Sequence, residues 1–280
     1  MSIIRFFLVV FCFFALLANT LTAQYSEYQS RIIAIDTVHE KSEFYTSKPG
    51  TQGFFDQGEQ LRQRFQKEVA QINADDTLNQ QDKKYLSTLA SYLAAKLLHL
   101  PKSTEAMKEK YCDEMETLVK SLEDDVEKWE DEKIKLRSDV YRLLGDLNIF
   151  YANRCIGALF SRMPRLVGSV KFFKKAMKID PDNMLAHTSF GIYKNNAPRV
   201  GGGSVKEAIK QFSLVAKKGS ELERYHAYCW LGIAFAKQDK SEEGKQKAFE
   251  QIAKAKEIYP SGGQADYFRE LIETGDIPPQ

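Results

Sequence analysis

Hydrophobic positions recur with a helical period along most of this chain. Between Asp82 and Leu100, the residues Leu86, Leu89, Ala90, Leu93 and Leu97 fall at i, i+3, i+4, i+7 and i+11, one face of a helix. Pro101 ends that pattern, and Ser103 is suited to cap the next helix. The next apolar stripe is Met107, Tyr111, Met115, Leu118, Leu122 and Trp129, and Glu, Asp and Lys fill its other faces. The run SLEDDVEKWEDEKIK therefore reads as a solvated helix surface, with an acidic partner-binding patch as the alternative. A long helix is expected over Arg137–Arg162, carrying Val140, Leu143, Leu144, Leu147, Phe150 and Tyr151. After residue 60 no alternating strand pattern appears. Before it the pattern is mixed: RIIAID, from Arg31 to Asp36, suits a short strand or a helix start, and Tyr45–Gly53 is loop-like by its Pro and Gly. The expected fold is all-α, built of stacked antiparallel helix pairs.

An internal repeat underlies the second half. Gly157 and Gly191 are 34 residues apart, as are Pro164 and Pro198, and Gly-Ser-Val-Lys recurs at Gly168 and Gly203. In the last unit Tyr228, Leu231-Gly232, Phe235, Ala248, Ile252, Ala255 and Pro260 follow one another at fixed spacings. The unit before it has Phe190-Gly191, Ala208, Phe212 and Val215. The first has Ile156-Gly157, Phe160, Ser169, Phe173, Ala176 and Pro181. A period near 34 with small residues at the helix crossing resembles the tetratricopeptide repeat superfamily over roughly residues 150–260. That resemblance implies an α-solenoid in which the first helix of each pair lines a concave groove. It assigns to the groove Tyr151, Arg154, Arg162, Leu185, Thr188, Asn195, Asn196, His226 and Lys237. The turn lengthened by APRVGGG, before KEAIKQF, is similar to periplasmic tetratricopeptide proteins associated with TRAP-type solute transporters. The likeness implies a protein partner, with a periplasmic solute-binding protein as the specific expectation.

The N-terminus sets the compartment. Arg5 precedes the apolar run Phe6–Ala18, and small and polar residues lead to Ala23 before Gln24. This is the pattern of a cleaved secretory leader over 1–23, with an uncleaved anchor as the alternative. Cys12 lacks the small residues a lipidation signal places before its cysteine. Export to the periplasm or beyond is expected. The remaining chain divides into a poorly assigned segment 24–58, helices over 59–149 that pack on the repeats, and repeats with a closing helix over 150–280.

Charge is nearly balanced, with 40 Lys and Arg against 38 Asp and Glu, so composition points to no nucleic-acid partner. Cys112, Cys155 and Cys229 have no CxxC or Cys/His spacing for a metal. They read first as small buried residues and alternatively as one disulfide with a leftover thiol.

The glycine loop Gly201-Gly202-Gly203-Ser204 leads into a helix, where free amides could hold an anion. It lacks the Gly-Lys-Ser/Thr of a phosphate loop and the strand of a dinucleotide fold. A structural role fits better: Pro198 stops one helix, the glycines turn, and Ser204 with Glu207 caps the next. Arg165 and Arg199 each follow a proline. Stacked repeats would bring them to one edge, as a basic surface for a carboxylate ligand or an acidic partner, or as solvated loop residues.

The histidines His39, His99, His187 and His226 are scattered, and no HExxH or GxSxG occurs. No catalytic, metal or cofactor site is expected, and the chain reads as a non-enzyme. The proposed groove mixes aromatic and amide groups with cations, which suits an extended peptide or a carboxylate. A periplasmic carrier of a small molecule or lipid, and a structural module of an envelope assembly, are the alternatives.

Overall fold

The computed structural model describes residues 27–32, 52–96, 105–128 and 134–277. The leader, most of 24–58, Ser103 and Trp129 lie outside the described residues. Every regular element among those described is helical, as the periodicity predicts. A short helical segment covers 27–32. It is followed by α1 (Gln52–Ala74), α2 (Gln80–Lys96), α3 (Glu105–Val126), α4 (Ile134–Cys155) and α5 (Leu159–Ile179). Then come α6 (Met184–Asn196), a 3-10 turn (Arg199–Gly201), α7 (Val205–Lys218), α8 (Glu221–Gln238), α9 (Glu242–Ile258) and α10 (Gly263–Thr274).

The helices pack as pairs: α4 on α5, α6 on α7, and α8 on α9, with α10 closing the stack. The first helix of each pair also touches the first helix of the next, so α4, α6, α8 and α10 lie side by side. Cores between the pairs are small and successive. The largest core lies at the other end, where Phe65, Tyr85, Tyr111 and Met115 from α1–α3 pack with Tyr141 and Leu144 of α4. One face of α4 thus closes the N-terminal core and another begins the stack, and the expected boundary at 149/150 falls inside this helix.

Caps set the helix starts. Asn183, Ser204, Ser220 and Ser241 each accept a hydrogen bond from the backbone amide three residues on. Ser220 and Glu223 form a reciprocal capping box. At Ser204 only half of the expected box forms, because Glu207 accepts instead from the Gln211 amide at 2.6 Å.

Three expectations are corrected. The helix over Arg137–Arg162 breaks after Cys155, and a new helix begins at Leu159. Arg162 stabilises the break by donating to the carbonyls of Ile156 (2.6 Å) and Gly157 (2.9 Å). Second, Pro164 lies inside α5 and does not mark a loop. It sits close to the N-terminus, where the missing N–H costs only the bond to the Phe160 carbonyl. Third, Gly157 is not a crossing glycine: a Cβ there would meet nothing within 4 Å. The crossing in the first pair is at Gly145, whose added Cβ would lie 2.6 Å from Phe173 Cδ1 and 2.8 Å from Cζ. Gly191 meets Phe212 and Gly232 meets Ile252 in the same way. The equivalent second-helix residues Phe173, Phe212 and Ile252 are spaced by 39 and 40 residues, not 34.

A cysteine expectation also changes. Cys112 of α3 and Cys155 at the end of α4 are disulfide-bonded, with Cα atoms 5.5 Å apart. Cys229 is a buried thiol of α8. Two of the three cysteines therefore form a staple that ties α3 to the end of α4.

Candidate functional site

The row of first helices offers one continuous surface. Leu185, Thr188 and Asn196 sit on α6, and His226 and Lys237 on α8, each at least partly exposed. Their local supports differ. The Thr188 hydroxyl donates to the Met184 carbonyl at 2.9 Å, one turn back in the same helix. His226 Nδ1 lies 2.9 Å from Gln264 Oε1 on α10, so the imidazole bridges the last two first helices. His187, by contrast, is buried between Gln211 (2.6 Å) and the Pro181 carbonyl (3.0 Å) and packs inside the pair.

Lys237 joins α8 to α6. Its ammonium donates to the Asn195 carbonyl at 3.0 Å and to Asn196 Oδ1 at 3.1 Å. Burial pushes its pKa below the usual lysine value. Asn195 is fully buried and donates to Asn196 Oδ1 at 3.1 Å. Of the sequence-predicted groove residues, Asn195, Asn196 and Lys237 are the ones that hydrogen-bond to one another.

Tyr151, Arg154 and Arg162 do not belong to this set. Counting from Gly145 instead of Gly157 shifts the register by 12 residues. Tyr151 sits beneath the Arg165 guanidinium, 5.5 Å from ring to cation, Arg154 lies over Phe150, and Arg162 ties the helix break. The α4 counterparts of Leu185, Thr188 and Ile192 are Asp139, Arg142 and Asp146. These form a buried network. Arg142 donates to Asp146 (2.9 Å) and to the Tyr85 hydroxyl of α2 (3.2 Å). Asp139 accepts from Asn183, the cap of α6 (2.9 Å), and from Gln29 (3.3 Å), and Asp146 accepts from Ser189 (3.2 Å). Burial opposes the Arg142 charge, but the Tyr85, Asp146 and Asp139 oxygens more than offset it, and its pKa is raised. Segment 27–32 and α2 therefore cover the α4 end of the row. The open part of the surface runs from α6 to α10.

The glycine loop has a structural role. Gly202 adopts a left-handed φ of +83°, and a Cβ on Gly203 would collide with the Ala197 carbonyl. The amides of Gly201 and Gly203 donate to the Pro198 carbonyl, that of Gly202 to Arg199, and that of Ser204 to Lys194. These four donors point inward and offer an anion nothing.

Nor do Arg165 and Arg199 form the expected loop edge. Because Pro164 is helical, Arg165 projects from α5 toward α3 and α4, donating to Asn148 Oδ1 (3.0 Å) and Glu123 (3.4 Å). Arg199 is exposed in the 3-10 turn.

A second concavity, not anticipated from the sequence, lies between α1, α2 and α3. It is a cleft of about 950 Å³ with Val69, Ala94, Ala95 and Leu118 on its walls and Arg62 and Lys110 among its polar residues. Adjacent Ala94-Ala95 in α2 is the one sequence signal for it, since small side chains leave space between helices. Among the described residues no group of three or more His, Cys, Asp and Glu could hold a metal ion, and no helix is long and apolar enough to cross a membrane. No protein-family model matches this chain, and no curated protein is detectably similar to it.

Proposed function

We propose that this chain is an exported, non-enzymatic helical-repeat protein of the tetratricopeptide type that binds a protein partner along the α6–α8–α10 surface. The observation that carries the reading is the side-by-side run of first helices, with Leu185, Thr188, Asn196, His226 and Lys237 partly open along it. Hydroxyl, amide and imidazole side chains beside apolar ones suit an extended peptide segment. The Cys112–Cys155 bridge supports export, because structural disulfides persist in oxidising compartments and are rare in the cytosol. A periplasmic solute-binding protein of a transporter is the partner we favour.

The test is affinity capture from the envelope of the producing cell with the wild-type chain and with a Leu185→Glu, Thr188→Glu variant, at two partly exposed positions that make no contact between helices in the hydrogen-bond network. Loss of a solute-binding protein from the variant alone, with equal melting curves, is the expected result. Equal recovery of that protein by both chains would refute the assignment of the surface.

A carrier role is the second reading, favoured by the α1–α3 cleft. Its apolar walls and charged rim suit an amphiphilic small molecule. Native mass spectrometry of the purified protein would reveal such a ligand as a mass increment, and Ala94→Trp would abolish it.

A further inference from the structure

The overall charge balance hides a strong segregation. Between Leu147 and Lys206 the chain carries ten Lys and Arg against two acids, Asp180 and Asp182. Helix α5 contains no acid at all. Its outer face is the stripe Phe160, Pro164, Val167, Lys171, Lys174 and Lys178, at i, i+4, i+7, i+11, i+14 and i+18, and all six are exposed. The first half of the stripe is apolar and the second half basic. Phe160 is 88% exposed and Val167 46%.

The 3-10 turn Arg199–Gly201 lies against α5 and extends this surface. Leu166 and Val170 of α5 pack with Tyr193 and Ala197 beneath the turn, while Val200 at its tip is 93% exposed. Burial and the charge of Lys174 both lower the pKa of Lys194, which places these two cations within each other's field. Arg165 and Lys175 are matched by Glu123 and Glu127. Lys171, Lys174, Lys178 and Arg199 have no carboxylate partner among the described residues.

We propose that the α5 stripe and the Val200 turn form a docking surface for an anionic phospholipid bilayer. Phe160, Val167 and Val200 enter the headgroup region, and Lys171, Lys174, Lys178 and Arg199 engage the phosphates. The cation-only charge selects an anionic surface. The apolar residues stand on a convex helix face and a turn tip. Protruding Phe and Val gain burial in the headgroup and acyl boundary, whereas a soluble acidic chain would leave them in water. This surface is on the second helix of its pair, apart from the α6–α8–α10 surface, so the protein can hold a membrane and a partner at once.

Vesicle co-sedimentation of the full chain tests the proposal, with vesicles of about one-third phosphatidylglycerol against pure phosphatidylcholine. Wild type and variants are purified from the envelope, so all carry the same processed N-terminus. Wild type is expected to bind the anionic vesicles at least about a hundredfold more tightly, with affinity falling as salt rises. At about fivefold per lysine near the surface, Lys171→Gln, Lys174→Gln, Lys178→Gln loses about a hundredfold. Phe160→Ser, Val200→Ser loses roughly tenfold while keeping the salt dependence. Phe160→Trp, a conservative change at an exposed site, is expected to add an emission component that shifts to the blue with anionic vesicles only. Equal wild-type binding to both vesicles would overturn the proposal. So would an unshifted emission from the Phe160→Trp variant, or loss in the lysine variant alone together with equal affinity for soluble polyaspartate, which would assign the surface to an acidic protein.

Discussion

Gly145→Ala isolates the register of the helix pairs. The new methyl would stand 2.6 and 2.8 Å from two carbons of the Phe173 ring and nearer still to a third, against an ordinary contact of 3.4 Å or more. Phe173 is fully buried, with Ile149, Leu166, Val170, Met177 and Phe190 around it, so the ring has no space to retreat. Overpacking a filled interior costs about 1–3 kcal/mol, and a required shift near 1 Å points to the upper end. Replacing a helical glycine by alanine returns about 1 kcal/mol through backbone entropy. The net expectation is a loss of about 2 kcal/mol, or about 4–8 °C in melting temperature for a domain of this size. Urea unfolding followed by circular dichroism measures it, and Phe173→Leu in the same chain should recover part of the loss as a coupling energy. Gly157→Ala serves as the control, because nothing lies within 4 Å of its Cβ position, and it should be close to neutral. A neutral Gly145→Ala with a destabilising Gly157→Ala would refute the register and restore the 34-residue one.

Removing the staple with Cys112→Ala, Cys155→Ala should lower stability by up to about 4 kcal/mol, from the entropy of the 43-residue separation it closes. Melts with and without reductant should show the same drop in wild type and no change in the variant. Arg142→Ala leaves Asp139 buried and Asp146 half-buried without their cation, and should destabilise by about 3 kcal/mol in the same unfolding assay. Asp75 is held at a pKa of about 2 by the Thr77 hydroxyl, the Tyr28 hydroxyl and the Thr77 amide. A depressed carboxylate stabilises above its unfolded value of 3.8 and loses that contribution as pH falls toward about 2. The Tyr28–Asp75 contact should therefore change as pH falls through about 2, seen in the Tyr28 ring resonances, and Asp75→Asn should show no such transition.

The helices were legible because their apolar stripes are long, and α2 and α3 carry the periodicity that predicted them. The break between α4 and α5 was not. Ile156-Gly157-Ala158 has no proline or polar cap, and Pro164, the residue that reads as a breaker, sits in a helix. The matched spacing of Gly157 with Gly191 and Pro164 with Pro198 then displaced the register, although Leu144-Gly145 repeats the Leu231-Gly232 pair. Three groove residues were misplaced for that reason; those counted from Gly191 and Gly232 kept their surface except Asn195, which is fully buried and holds Asn196 and Lys237 from beneath. The Cys112–Cys155 pairing depends on α3 crossing the end of α4, which no spacing encodes. Asp139, Arg142 and Asp146 look like a solvated helix face until Tyr85 and Gln29 cover them. The basic stripe of α5 vanished in a balanced total charge.

Photo-crosslinking in the producing cell tests the central claim most directly. A photoreactive residue would be placed singly at Leu185, Thr188, Asn196 or His226 on the first-helix surface, or at the exposed Gln246 of α9 as control. The account predicts one and the same protein adduct from the four surface positions and none from Gln246. An adduct from Gln246 with silence along α6 and α8 would contradict it, and would move partner binding to the second helices of the stack.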